Sequence, residues 1–232
     1  DGIGVRGATN DQLLIERTQF ADEGAYSVIV TNVEGIATST NAFLTVTPPA
    51  GGDVDGSFVQ GGMISYAVTC MAAQPDGKIL IGGGFSTVHG AVRSGIARLN
   101  PDGSTDYSFL EGLSGADWTV NSIVLQDDGK VLLGGDFSSV NGVDHSGVAR
   151  LNPDGTLDTE FLNGLPGTGG AYPGVNAVAV QSDGKVLIGG DFSSVNGAPQ
   201  YYLARLNPDG TLDTNFLKGV SGPNSTVNSI TV

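Results

Sequence analysis

Three short motifs return in the same order along the chain, and their spacing leaves few folds open. Gln74-Pro75-Asp76-Gly77-Lys78 recurs at residues 126–130 and 181–185, at intervals of 52 and 55 residues. Ala97-Arg98-Leu99-Asn100-Pro101-Asp102-Gly103 recurs at 149–155 and 204–210 with the same intervals. An Asp-x-x-Phe closes each unit, at Asp106/Phe109, Asp158/Phe161 and Asp213/Phe216, with an earlier instance at Asp55/Phe58. Blocks that shift together across a single insertion are structural repeats, and self-similarity on this scale marks a stacked array or a propeller.

The middle unit can be parsed by hydrophobic period. Residues 120–126 alternate apolar and polar positions, as a half-buried strand does. Asp127-Asp128-Gly129-Lys130 reads as a tight turn, with glycine supplying a positive φ. Val131-Leu132-Leu133-Gly134-Gly135 is apolar on both faces and predicts a buried second strand. A loop through Val140-Asn141-Gly142 leads to a third strand over 147–152, and Pro153-Asp154-Gly155 turns the chain into a fourth segment ending at Phe161. Four short antiparallel strands per repeat predict an all-β chain with about three four-stranded propeller blades. The 37 glycines among 232 residues agree with this, because many tight turns need them. Three blades do not close a propeller, which usually needs four to eight, so the sequence reads as an excerpt of something longer.

The Gln-x-Asp-Gly-Lys, Gly-Gly-Asp-Phe and Ala-Arg-Leu-Asn-Pro-Asp-Gly blocks resemble the delta-60 repeat family of bacterial β-propellers over residues 53–232. That resemblance implies a large, exported, multi-domain protein, often with immunoglobulin-like neighbours, and implies no particular activity. The first repeat departs from the others at Gly84, where they carry Asp136 and Asp191.

The first fifty residues follow another pattern. Ala21-Asp22-Glu23-Gly24-Ala25-Tyr26-Ser27-Val28 resembles the Asp-x-Gly-x-Tyr-x-Cys corner of the immunoglobulin fold, with Val28 at the cysteine position. The stretch from Val30 to Gly35 resembles that fold's last hairpin, 42–46 its final strand, and Pro48-Pro49-Ala50-Gly51-Gly52 a linker. The expected layout is therefore the C-terminal part of an immunoglobulin-like sandwich at 1–47, a linker at 48–53 and propeller repeats at 54–232. The repeat units fall at 59–109, 110–161 and 162–216, with another beginning at 217–232.

Charge narrows the partners. Ten Lys and Arg against 24 Asp and Glu leave a net charge of −14, which repels phosphate backbones and anionic lipid. Nucleic acid is not an expected partner, and no apolar run approaches the length needed for membrane insertion. Cys70 is the only cysteine, so no internal disulfide forms, and the expected location, secreted or cell-surface, rests on the family resemblance.

Several residues are candidates for chemistry. Arg98, Arg150 and Arg205 could form a ring of anion-binding guanidiniums, or could each pair with an aspartate of their own or the adjacent blade, such as Asp106, Asp158 and Asp213. Their recurrence in every unit favours the pairing, because a buried charge persists only when compensated. Phe109, Phe161 and Phe216 read as interblade core. Asp154 with Asp158, and Asp209 with Asp213, offer several oxygens over short loops and make calcium a possible cofactor, although turn chemistry explains the same residues without a metal. His89 occupies the turn position of Asn141 and Asn196, His145 lies in a variable loop, and Cys70 holds the small-residue position of Ser122 and Ala177. No nucleophile–base pair follows, and catalysis is not expected.

The segment before each first strand varies between repeats and carries Tyr66, Trp118 after Asp117, and Tyr172. These aromatics are expected to gather on one face, either stacking on sugars or covering the seams between blades. The expected role is a structural or adhesive module of a large secreted or cell-surface bacterial protein. A carbohydrate- or protein-binding propeller is the alternative, and part of a glycan-active enzyme ranks third. Expected partners are other domains of the same polypeptide, surface glycans or neighbouring protein subunits.

Overall fold

The structure is a computed structural model, and it describes residues 5–6, 14–15, 23–45, 58, 62–171 and 173–232. The chain divides into two compact units, Asp1–Ser57 and Phe58–Val232. Among the described residues every regular element is a strand, and no helix is long and apolar enough to cross a membrane.

In the first unit a short ribbon pairs Val5–Arg6 with Leu14–Ile15. The strand Gly24–Tyr26 pairs antiparallel with Ala42–Leu44, and Ile29–Asn32 with Gly35–Thr38. Val28 and Ser39 join these two ladders, since Ser39 N donates to Val28 O and Val28 N to Ser39 Oγ. The hairpin turn at Val33-Glu34 forms because Asn32 Oδ1 accepts the Glu34 and Gly35 amides, an Asx turn. The hairpin is poorly covered: Ile36 is 75% exposed and Phe43 79%. Ala21, Asp22 and the 48–53 linker lie outside the described residues.

The second unit repeats one three-stranded antiparallel sheet. The first repeat contributes β1 (Val68–Ala73), β2 (Ile79–Gly83) and β3 (Ile96–Leu99). The second contributes β4 (Val120–Leu125), β5 (Val131–Gly135) and β6 (Val148–Leu151). The third contributes β7 (Gly174–Val180), β8 (Val186–Asp191) and β9 (Leu203–Leu206). In each sheet the second strand is central, paired on both edges. Short outer ribbons flank the sheets, and Val140-Asn141-Gly142-Val143 turns one of them with φ of 53° at Asn141 and 78° at Gly142. Two successive positive φ values are the signature of a type I′ turn, and His89-Gly90 and Asn196-Gly197 repeat it.

The expected fourth strand is not a strand. The segment after each Asn-Pro-Asp-Gly turn makes one antiparallel bridge, Leu99 to Thr105, Leu151 to Leu157 and Leu206 to Leu212. Its remaining residues are committed elsewhere. Asp154 Oδ1 holds the Thr156 amide and hydroxyl, and Phe161 N returns to Asp158 O, so the chain curls instead of extending.

The core lies between the sheets. One apolar cluster joins Leu80 and Ile96 of the first repeat to Val120, Ile123 and Leu133 of the second; another joins Leu132 to Val175, Val178 and Ile188. Paired glycines make this approach possible. A Cβ on Gly134 would stand 2.6 Å from Val178 Cγ2 and 2.8 Å from Val175 Cγ1. Gly82 faces Val120 and Ile123 in the same way, and Gly189 faces Val227 and Ile230. The second glycine of each pair meets backbone: a Cβ on Gly135 would crowd Thr119 O, beside the register shift between Val120 and Ser122. A side chain at the first glycine would force the next repeat away, and one at the second would crowd the first strand of its own sheet.

Candidate functional site

Two constellations stand out, one that recurs inside the seams and one cleft at the ends of the first strands of the second and third repeats. The seam constellation unites the three motifs. In the second repeat, Arg150 Nε donates to Asp158 Oδ2 at 2.7 Å and Lys130 Nζ to the same oxygen at 2.9 Å. Asp158 Oδ1 accepts the Glu160 amide. The first repeat builds the same group from Arg98, Lys78 and Asp106, and the third from Arg205, Lys185 and Asp213. The turn motif thus supplies the lysine, the third strand the arginine and the closing motif the aspartate. Each guanidinium lies over the phenylalanine of its own closing motif, at 4.7, 4.6 and 4.6 Å from the ring centroids of Phe109, Phe161 and Phe216.

The carboxyl groups at these positions are held in the ionised form. Burial opposes the charge of Asp106, but hydrogen bonds from Ser108, Lys78 and Arg98 outweigh it and hold the pKa well below the usual carboxylate range. Asp158 is lowered against the same burial penalty by Lys130 and Arg150. For Asp213 the hydrogen bond from Lys185 is the leading cause, followed by that from the Asn215 amide.

The arginines also reach beyond their own repeat. Arg98 Nη1 donates to Pro153 O at 2.7 Å and Arg150 Nη1 to Pro208 O at 2.8 Å, each in the Asn-Pro-Asp-Gly turn of the following repeat. The amides of Leu110 and Leu162 donate to Asp154 O and Asp209 O of the same turns. Every motif therefore meets another motif, within the repeat or across the seam. Residues 74–109, 126–161 and 181–216 match the family model described as a domain of unknown function (DUF5122), beta-propeller. These are β-propeller repeats. Each DUF5122 match begins at the glutamine of the first turn and ends at the closing phenylalanine, so it contains one complete arginine–lysine–aspartate group. No curated protein matches the chain.

The aspartates considered for calcium are engaged by protein groups. Asp154 Oδ1 and Asp209 Oδ1 accept from Thr156 and Thr211, hydrogen bonds that lower both carboxyl pKa values, while Asp158 and Asp213 hold the cations just described. Among the described residues no three His, Cys, Asp or Glu side chains gather as a metal site would require.

The second constellation is a cleft of about 720 Å³ between the second and third DUF5122 repeats. Trp118, Asp117, Asp136, Pro173, Asn176 and Asp191 line it. Trp118 is 68% exposed. Asp117 is a strut: Oδ1 accepts the Ser138 and Ser139 amides and Oδ2 the Ser138 hydroxyl. Burial raises its pKa less than these bonds lower it. Asp136 Oδ1 accepts from Asn121 Nδ2, and Asn176 Nδ2 donates to Asn228 Oδ1.

The aromatics do not share one register position. Tyr66 and Trp118 each stand two residues before the valine that opens the inner strand, Val68 or Val120, whereas Pro173 holds that place before Val175. The three-residue insertion displaces Tyr172, which lies outside the described residues. Tyr66 is exposed and passes Gly84, where a Cβ would lie 3.2 Å from its ring. A side chain like that of Asp136 would crowd Tyr66 there, which gives the glycine in the first repeat a steric reason. Sequence reasoning overlooked Asp136, Asp191 and Asn176 as cleft residues, although the Gly84 departure and the repeated Val-Asn pairs at 120–121 and 175–176 were the available signals.

Proposed function

We propose that the chain is a non-catalytic structural and adhesive module of a large secreted or cell-surface protein, built from propeller repeats beside an immunoglobulin-like hairpin unit. The observation that carries this reading is the seam lock: one arginine satisfies the aspartate of its own repeat and a carbonyl of the next. A guanidinium is suited to the task because its planar fork donates in several fixed directions at once. The lock makes the repeats a stiff scaffold, and the acidic surface keeps it soluble and off anionic surfaces. Single-molecule pulling on the full chain tests this. The repeat unit is expected to resist extension in discrete steps whose forces fall when Arg98 and Arg150 are both changed to alanine. Continuous yielding at low force in the unaltered protein would refute the scaffold role.

The Trp118 cleft supports a second reading, a carbohydrate-binding propeller. An exposed indole beside Asp136, Asp191 and Asn176 provides a stacking platform with hydrogen-bonding groups at its edge, the combination sugar rings need. A glycan array followed by calorimetry tests it, with Trp118→Ala expected to abolish any binding detected. Undiminished binding by that variant would remove the cleft from consideration.

A further inference from the structure

We infer that the Trp118 cleft takes a positively charged sugar, a hexosamine whose amino group is free. The inference rests on the carbohydrate reading of that cleft and adds the charge of the ligand. A volume of about 720 Å³ falls within the range of about 300–1,000 Å³ usual for small-ligand sites. The walls carry one large aromatic surface, the exposed Trp118 indole, and three carboxylates, Asp117, Asp136 and Asp191. No lysine, arginine or histidine lines them. Asp117 is engaged by Ser138 and Ser139. Asp136 uses Oδ1 alone, accepting from Asn121 Nδ2 at 3.2 Å, and the Asp191 carboxylate has no hydrogen bond or ion pair with any described residue.

Backbone register brings the two open carboxylates to one place. Asp191 ends β8 and pairs with Gly174, the first residue of β7. A Cβ on that same glycine would run into Asp136 Oδ1, so the Asp136 side chain reaches across from the second repeat. A single glycine thus has an aspartate of each repeat against it. The junction between the first and second repeats has no such pair. Gly84 and Thr119 take the places of Asp136 and Gly174 there, and the Tyr66 ring lies against Gly84. A feature that stacking itself required would recur at both junctions, as the arginine–lysine–aspartate group does. This one occurs only where the indole stands over an open cleft.

The repeat unit has no cation to spare for these carboxylates. Lys78, Lys130, Lys185, Arg98, Arg150 and Arg205 are held at the seam aspartates, Arg93 lies over the Tyr107 ring, and Lys218 is not among the cleft residues. A neutral sugar seated in the cleft would strip water from the carboxylates without replacing it, which costs free energy. An anionic sugar would add repulsion between like charges. An ammonium group brings three donors for Asp136, Asp191 and Asn176, and the indole face is the aromatic surface that attracts a cation most strongly. An amino sugar joins that charge to an apolar ring face that stacks on Trp118, and Ser138 and Thr226 line the same walls for its hydroxyls.

The test is calorimetry on the full chain at about pH 6, where amines carry a proton. The probes are tetramers of glucosamine, N-acetylglucosamine and galacturonic acid. The glucosamine tetramer is expected to bind at least about tenfold more tightly than the acetylated one, with no binding of the acid, and added salt should shrink the difference. Asp136→Asn and Asp191→Asn should each remove most of that preference while leaving the acetylated tetramer's affinity unchanged, and Trp118→Ala should weaken both sugars. Trp118-dependent binding of the two sugars with equal affinity overturns the charge inference and leaves the carbohydrate reading standing. No binding of any tetramer overturns both. A preference for the amine that survives both asparagine substitutions places the charge recognition elsewhere and also overturns the inference. A lysine peptide that displaces the glucosamine tetramer at equal affinity would assign the cleft to a protein partner and overturn the sugar assignment.

Discussion

The two units are both antiparallel β-structure, yet they bury side chains very differently. In the first unit the hairpin strands pair correctly while Val30, Ile36 and Phe43 remain 61%, 75% and 79% exposed. In the repeats the corresponding apolar positions, such as Leu80, Leu132 and Ile188, are 0% exposed. Backbone pairing is present in both, so hydrogen bonding does not make the difference. What separates them is a second layer: each repeat sheet lies against the next, whereas the described hairpin has no apolar face packed over it. A two-stranded hairpin is marginal in water without such cover, and burial of apolar surface is the dominant stabilising term.

Substitutions can break this comparison. Phe161→Ala removes a fully buried ring from the seam and is expected to cost about 3–5 kcal/mol in urea unfolding of the repeat unit; a loss under about 1 kcal/mol would mean the seam is not the core. Arg150→Ala should cost about 2–3 kcal/mol by the same measurement, since Lys130 still compensates Asp158 but the bond to Pro208 O disappears. Gly134→Ala places a Cβ within 2.6 Å of Val178 Cγ2 and is expected to cost about 1–3 kcal/mol. In the hairpin, Phe43→Ala should change the stability of the repeat unit by less than about 0.5 kcal/mol.

Acid sharpens the contrast. The seam aspartates titrate lower in the folded protein than in the unfolded chain, whose aspartates take protons near pH ~3.9. Their contribution is complete above that value. Below it the unfolded state binds more protons, so stability falls as the pH drops toward the folded pKa values. Acid titration monitored by near-ultraviolet circular dichroism should show the repeats loosening below pH ~4, and Asp158→Asn should flatten the profile.

Much of the repeat was legible in sequence because its signals are local. Gln126 to Lys130 announces a turn through Gly129, and the eight-residue step from Arg150 to Asp158 places both charges in one repeat, where the structure joins them. The seam was not legible in the same way. Nothing near Gly134 declares that Val175 and Val178 come to rest against it, and nothing near Arg150 points to Pro208 O. The fourth segment is expected as a strand because a propeller blade usually has four, whereas Asp154 and Asp158 spend their side chains curling it. In the cleft, Trp118 was visible as an aromatic that fails to repeat. Asp136 and Asp191 come to it only through the stacking of two sheets.

The glycine pair on each central strand has a consequence for how such a chain could change length. Every unit carries a recess on one side and the valine-isoleucine or valine-valine projection that fits a recess on the other, so neighbours need not be tailored to one another. Duplicating or deleting a whole unit leaves each remaining junction chemically the same. Copy number could therefore drift by simple recombination without compensating mutations, while a single side chain placed in a recess would be felt by two units together.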